Sequence, residues 1–381
     1  TTSGAYPLDR PTGGDDHRFA GTIGVADLFA GPGEAVRVYE PEAGSGQGTP
    51  EDLDGDGYLN QDEIDNGTNP ESSGDTPADN DNDFVSDLND PDDDNDTLVD
   101  LNDPFQVDDS NGNNTNAPFA LTFDNDDLNR GGLLDLGFTG VMTNGTTNYL
   151  DQFDFANLTA GSAAGVLTID EVSAGTALGS ANDQENAFQF GLNLNETSQP
   201  ITIQTKIDSV FDNATPAAGQ RAGLYFGTGD QDNYIAVFIE GDGTINTVTE
   251  IDGVFTFGTG DIVGDNFTNL NLYLTVDPTT QTVQAGYSYD NGPIAELAGT
   301  TSFPVEWLQA TTAPAIGVIA TNGGGEPYAV TYDFIRVEFA GGNDGQAPFN
   351  GTPNQVGERV EAEDFDLGGE NVAYLDLSPL N

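Results

Sequence analysis

"LNLYLTVDPTTQTVQAGYSYDNG", Leu270 to Gly292, alternates apolar and polar residues on either side of an Asp277-Pro278 turn. Leu270, Leu272, Leu274 and Val276 share one face going out, and Val283, Ala285, Tyr287 and Tyr289 share one face coming back. Successive side chains of a strand point to opposite faces, so this spacing predicts an antiparallel hairpin with one buried side. A helix would need apolar residues at three- and four-residue steps, which the stretch lacks.

The same texture runs from Ala117 to about Ala340. "ITIQTKID" puts Ile201, Ile203 and Ile207 on one face and Gln204 and Lys206 on the other. "AGLYFGTGDQDNYIAVFIEGDG", "PAIGVIAT" and "YAVTYDFIRVEF" supply further strands between Gly, Asn and Asp turns. Many short strands with little helical periodicity predict a mostly β fold, an antiparallel jelly-roll sandwich around one aliphatic core. The order of these segments resembles the concanavalin-like or laminin-G-like family. That resemblance spans 117–341 and implies a module that in its relatives often binds glycans or serves as a spacer.

Upstream the composition changes. "DLDGDGYLNQDE" places Asp52, Asp54, Asp56, Gly57, Asn60 and Glu63 at positions 1, 3, 5, 6, 9 and 12 of the calcium loop D-x-[DN]-x-[DN]-G-x5-E, with the Tyr58 carbonyl at position 7. Calcium is a hard cation that takes six to eight oxygens, and alternating side chains on a tight turn supply them. The grid recurs from Asp79, through Asp81, Asp83, Val85 (carbonyl), Asp87 and Asp90. It recurs again from Asp92, through Asp94, Asp96, Leu98 (carbonyl), Asp100 and Asp103. Phe84 and Thr97 stand where the glycine belongs, which argues against standard EF-hand loops. The alternative, a solvated acidic linker binding cations diffusely, does not account for the shared register.

The thirteen-residue step, the phrase "NDPDDDND" and the "NGTNP" after the first loop resemble thrombospondin type 3 repeats of secreted bacterial and archaeal proteins. The resemblance covers about 51–108 and implies a cysteine-free, largely irregular stalk wound around a row of calcium ions. At the other end, "RVEAEDFDLGGENVAYLDLSPLN" resembles the opening strand of a family 6 carbohydrate-binding module. That likeness implies that Glu361 and Glu363 help to hold a structural calcium. The expected organisation is an unassigned arm (1–50), the calcium stalk (51–108), the sandwich (117–341), a linker (342–357) and an incomplete module-like strand (358–381).

The chain of 381 residues carries 65 acidic against 8 basic groups, one His and no Cys. A net charge of -57 opposes binding to nucleic acid or anionic membrane surfaces, both of which require basic patches. Without Cys there are no disulfides, thiolate metal sites or cysteine nucleophiles, which leaves calcium as the staple for an exported protein. No apolar run is long enough for a membrane-spanning helix. The start at Thr1, without Met or a leader, fits a processed piece of something longer.

Enzymatic residues are hard to find. A glycosidase needs two carboxylates about 5 to 9.5 Å apart across a cleft, and 117–340 lacks the E-x-D-x-E pattern that would put them on one strand face. Asp230 and Asp232 in "GTGDQDNY" read as a capping or cation-binding turn, and His17 stands alone in the arm. Tyr225, Tyr234, Tyr287, Tyr289, Trp307 and Tyr328 are available for sugar stacking, although strand aromatics more often serve the core. The reading is therefore a non-enzymatic, calcium-stabilised section of a secreted or cell-surface protein, glycan-binding or adhesive. Its expected partners are a polysaccharide or cell-surface glycan. The alternative is a subunit of an extracellular filament, surface layer or biofilm matrix, self-associating through the arm and the last strand.

Overall fold

The computed structural model describes residues 51–123, 131–161, 165–212, 215–262, 269–290 and 292–340. The chain divides into two compact units, the first ending at Asp90 and the second beginning at Pro91. The division falls between the second and third acidic loops.

The described part of the first unit is two loops and one helix, α1 (Asn60–Asn66), closed by Gly67 in the left-handed conformation at φ 80°. Few apolar side chains are buried in it. Leu53, Tyr58, Pro70 and Pro77 are, whereas Leu59, Ile64, Phe84, Val85 and Leu88 are exposed. Polar contacts hold the loops together instead. The Tyr58 hydroxyl donates to Asp79 at 2.7 Å, and the buried Asp62 carboxylate accepts from the Ser86 N–H at 3.0 Å and the Asn89 side chain at 2.6 Å. Gly57, at φ 117°, lies against the Phe84 ring, and a Cβ there would sit 2.5 Å from it.

The second unit is a sandwich of strands. In chain order these are β1 (Phe119–Thr122), β2 (Gly140–Val141), β3 (Leu158–Gly161), β4 (Val166–Val172), β5 (Ala187–Gly191), β6 (Ile201–Asp212), β7 (Gln220–Gly227), β8 (Tyr234–Glu240) and β9 (Thr244–Ile251). They continue with β10 (Val254–Phe257), β11 (Asp261–Ile262), β12 (Leu270–Asp277), β13 (Thr282–Tyr289), β14 (Ala295–Glu296), β15 (Thr301–Ser302), β16 (Ala315–Asn322) and β17 (Tyr328–Phe339). One sheet runs β14-β13-β12-β6-β17-β4-β3, with β1 beside β17 and β15 beside β13. The other runs β10-β9-β8-β7-β16-β5-β2, with β11 beside β9. The strand pairings are antiparallel, and the predicted hairpin forms in register, Leu270 opposite Tyr289 and Val276 opposite Val283.

One apolar core takes side chains from both sheets, among them Leu272, Leu274, Ile201, Ile203, Phe188, Leu224 and Ile235. Strands β5, β7, β8 and β16 are buried on both faces, because a second cluster of Met142, Ala177, Tyr225, Tyr234, Ala236, Phe238, Val248 and Ile319 covers the outer side of their sheet. That explains why "YIAVFIE" is a nearly continuous apolar run rather than an alternating one. Tyr225, Tyr234, Tyr328 and Trp307 belong to this packing and are buried, leaving Tyr287 and Tyr289 as the half-buried pair, edge to face at 5.4 Å. None of the described helices is long and apolar enough to cross a membrane.

Candidate metal centres

The three acidic loops close in the same way. The N–H of the ninth residue donates to the carbonyl just before the first: Asn60 to Glu51, Asp87 to Ala78 and Asp100 to Pro91, at 2.8 to 3.0 Å. The ninth side chain returns the bond, accepting from Leu53, Asn80 and Asp93 respectively. The sixth N–H donates to the first carboxylate, Gly57 to Asp52, Phe84 to Asp79 and Thr97 to Asp92. Carboxylates three and five accept from the N–H two residues on, as Asp54 does from Asp56 and Asp56 from Tyr58.

Asp52 and Asp79 are tied to the backbone through both carboxylate oxygens, whereas Asp54, Asp56 and Asp94 are tied through one and keep the other buried. Ligand atoms of Asp52, Asp54 and Asp56 lie within 4.8 Å of one another, as do those of Asp79, Asp81 and Asp83 and those of Asp92, Asp94 and Asp96. Three like charges that close repel strongly wherever water is excluded.

Phe84 and Thr97 do not alter the loop. They adopt φ 75° and 86°, in the left-handed region where Gly57 sits at 117°. The missing glycine therefore costs strain rather than geometry. Thr97 is exposed and β-branched. Thr97→Gly is expected to stabilise the second unit by about 0.5–1 kcal/mol. Relief of about 1–2 kcal/mol of left-handed strain exceeds the roughly 0.5–1 kcal/mol of backbone entropy that glycine loses. Thermal unfolding measures it, and a lowered midpoint would mean that the threonine side chain has a role of its own.

Burial at the loops makes a cation the natural counter-charge. Glu63, at position 12, is fully buried, and neither of its carboxylate oxygens has a hydrogen-bond partner. Burial, then the charges of Asp54, Asp56 and Asp52, push it up to about 7. Oδ2 of Asp54, Oδ2 of Asp56 and Oδ2 of Asp94 are likewise buried without a partner. Asp94 is pushed up to about 7, first by burial and then by Asp96 and Asp92, and Asp103 up to about 8, mainly by burial. A buried carboxylate without a partner is expensive unless it is neutral or coordinates a metal. An all-oxygen donor set of carboxylates and carbonyls suits a hard divalent cation such as calcium. Of the other residues assigned to metal, Asp90 is half-buried at the end of the second loop. Glu361 and Glu363 lie outside the described residues, as do the arm (1–50) and the last strand (358–381).

Two further features escaped the sequence reading. Glu250, on β9 opposite Tyr234, is fully buried; it accepts from the Gly179 N–H at 2.7 Å, and its Oε2 has no partner. Burial, with Asp232 and Asp230 adding to it, raises it to about 7. Asp230 itself is the capping turn expected, accepting from Thr228 at 2.6 Å and the Asp232 N–H at 2.8 Å. At one end of the sandwich a cavity of about 320 Å³ is lined by Thr228, Asn233, Asp252, Pro304, Glu306 and Trp307, which places hydroxyl, amide and carboxylate groups around an indole.

No family model matches the chain, so the two motif resemblances are without a family-level match. No curated protein matches it either. Among solved structures, a mutant of the GH43 protein BlXynB from Bacillus licheniformis is 18% identical with a TM-score of 0.43, over 58% of this chain and 39% of that one. The Bacteroides ovatus xyloglucan-locus protein GH43B is 17% identical with a TM-score of 0.42, again over 58% and 39%. Lectin I-B4 of Griffonia simplicifolia, in its metal-free form, is 10% identical with a TM-score of 0.33, over 48% and 90%. The chain thus spans about two fifths of the length of the GH43 proteins. At these scores the likeness assigns neither a reaction nor a ligand. Several of the similar structures are GH43 proteins, one of them named as a GH43 glycoside hydrolase, and the expectation that the chain is not an enzyme is withdrawn.

Proposed function

We propose that the three acidic loops are calcium sites, and that calcium folds this section of a secreted or cell-surface protein whose sandwich engages glycan. The observation that carries the calcium reading is Glu63, fully buried at the twelfth position with both oxygens unpartnered beside three clustered carboxylates. A divalent ion there would be held by Asp52, Asp54, Asp56, the Tyr58 carbonyl and Glu63. It would neutralise the mutual repulsion that otherwise drives protons onto them. Its role would be structural, because an ion bound only by the folded loop stabilises that fold by mass action.

The glycan reading is supported by the cavity over the buried Trp307, where the Asp252 and Glu306 carboxylates offer acceptors to sugar hydroxyls. The acidic surface fits an extracellular, saline setting in which salt screens charge beyond about 8 Å.

Calcium titration of the chelated chain by calorimetry tests the first part. Three ions are expected, with Glu63→Gln losing one or weakening it at least tenfold. Shallow, unsaturating heats in both proteins would reduce the loops to a charged linker. A glycan array probed with the calcium-loaded chain tests the second, against an Asp252→Ala, Glu306→Ala double variant that should lose whatever signal the parent shows; an array with no signal would remove the glycan reading.

A further inference from the structure

The third loop differs from the first two in what surrounds it, and the difference rests on a residue outside the thirteen-residue grid. The side-chain amide of Asn111 lies against the carboxylate of Asp96, and its Oδ1 is buried with no hydrogen-bond partner. Asp94, two residues from Asp96 and 6% exposed, has its Oδ2 in the same condition. Three carboxylates, one unpartnered buried oxygen among them, thus meet an amide from a neighbouring turn whose NH2 faces Asp96 and whose own oxygen is buried without a partner. A half-turn of the amide exchanges Oδ1 and Nδ2, so this side chain can present its oxygen where it now presents its NH2.

Asn111 is held firmly in place. Asp108 accepts from the Ser110 N–H at 3.1 Å, the Ser110 hydroxyl at 2.6 Å and the Gly112 N–H at 2.9 Å, which closes the turn around it. The Asn111 carbonyl accepts the Ala313 N–H at 2.9 Å. Gly112, at φ 73°, packs so closely on Gly191 of β5 that a Cβ would meet its Cα at 2.4 Å. The loop is anchored as well. Asp93 accepts from the Tyr149 hydroxyl at 2.5 Å, Gln189 on β5 donates to the Pro104 carbonyl at 2.6 Å, and Gln106 donates to Asp103 and Val141. Phe105, directly after the loop, is fully buried.

We infer that Asn111 is a ligand of the third cation, and that this ion therefore clamps the loop to the sandwich beside β5 and β16. Calcium accepts amide oxygens alongside carboxylates, so the donor set Asp92, Asp94, Asp96, the Leu98 carbonyl, Asp103 and Asn111 is chemically uniform. The inference rests on the calcium reading of the loop. It adds that the stability of the sandwich itself, and not only that of a stalk, responds to calcium.

The test uses the full chain after chelation, titrated with calcium by calorimetry and followed by thermal unfolding, as wild type, Asn111→Ala, Asn111→Asp and Asp94→Asn. Asn111→Ala should keep the number of ions, weaken one of them about tenfold and shrink the calcium-induced rise in the sandwich midpoint. Asn111→Asp should restore both, which a merely structural asparagine would not require. If Asn111→Ala binds and responds to calcium as wild type does while Asp94→Asn loses an ion, the Asn111 assignment falls alone. If Asp94→Asn loses none either, the calcium reading of this loop falls with it.

Discussion

Chelation of divalent cations is expected to unfold the loops of residues 51–90 and to lower the unfolding midpoint of the sandwich by about 5–10 °C. The first effect follows from how little else holds these residues. Leu53, Tyr58, Pro70 and Pro77 are their buried apolar side chains, whereas Leu59, Ile64, Phe84, Val85 and Leu88 face solvent. Hydrophobic burial of that extent cannot offset a backbone entropy cost of about 1–2 kcal/mol per residue. The carboxylates, left without ions, repel. The second effect follows from mass action: an ion at one hundred times its dissociation constant contributes about 2.7 kcal/mol, and each kcal/mol moves the midpoint of a domain this size by about 2–4 °C.

Hydrogen exchange read by mass spectrometry separates the two units. Amides of 52–90 should lose protection throughout on chelation, while strands such as β7 and β16 keep theirs until the midpoint is reached. Potassium chloride at matched ionic strength is the control, since simple screening would act through any salt. Equal protection with chelator, with calcium and with potassium would contradict an ion-folded unit. A midpoint that rises as much with potassium as with calcium would reduce the carboxylate clusters to a screened surface.

The parts of this architecture that could be read from sequence are those in which one residue's environment is set by its near neighbours. The hairpin at 270–292 was legible because a period of two around Asp277-Pro278 leaves no other way to bury Leu272 and Leu274 together. The loops were legible because cation geometry imposes a fixed ligand spacing on a short chain. Phe84 and Thr97 argue against standard EF-hand loops, and the turn itself persists because the Asp79 and Asp92 carboxylates accept from their N–H groups and hold them in the left-handed region.

What could not be read depends on distant segments. Asn111 looks like any residue of "DDSNGNNTN" until the turn lands on Gly191 and its amide meets Asp96. Tyr225 and Tyr234 alternate as surface aromatics would, and are buried because Met142 and Ala177 arrive over the outer face of their sheet. Glu250 in "TVTEID" occupies what alternation assigns to solvent, and the same cover buries it.

Glu250→Gln is expected to stabilise the chain above neutral pH by up to about 3 kcal/mol and by less than about 1 kcal/mol at pH 5. The carboxyl is raised from an ordinary 4.5 to about 7 in the folded state, chiefly by burial. The folded protein therefore holds this proton more tightly than the unfolded chain does. Its contribution to stability is fully present below about 4.5, declines as pH rises from there to about 7, and is lost above. A shift of this size, at about 1.4 kcal/mol per unit, sets the ceiling. Glutamine keeps the acceptor that receives the Gly179 N–H, and places its NH2 where Oε2 already lacks a partner, so the cost of that unpaired position is common to the amide and the protonated acid. The comparison is made by denaturant unfolding of both proteins at pH 5 and pH 8 with chelator present, so that titration of the cation loops cancels in the difference. Equal stabilities at both pH values would show that Glu250 ionises in the fold without penalty, which requires a counter-charge or water at Oε2. A variant less stable at pH 8 would show that the ionised carboxylate itself holds Gly179 and the segment over this sheet in place.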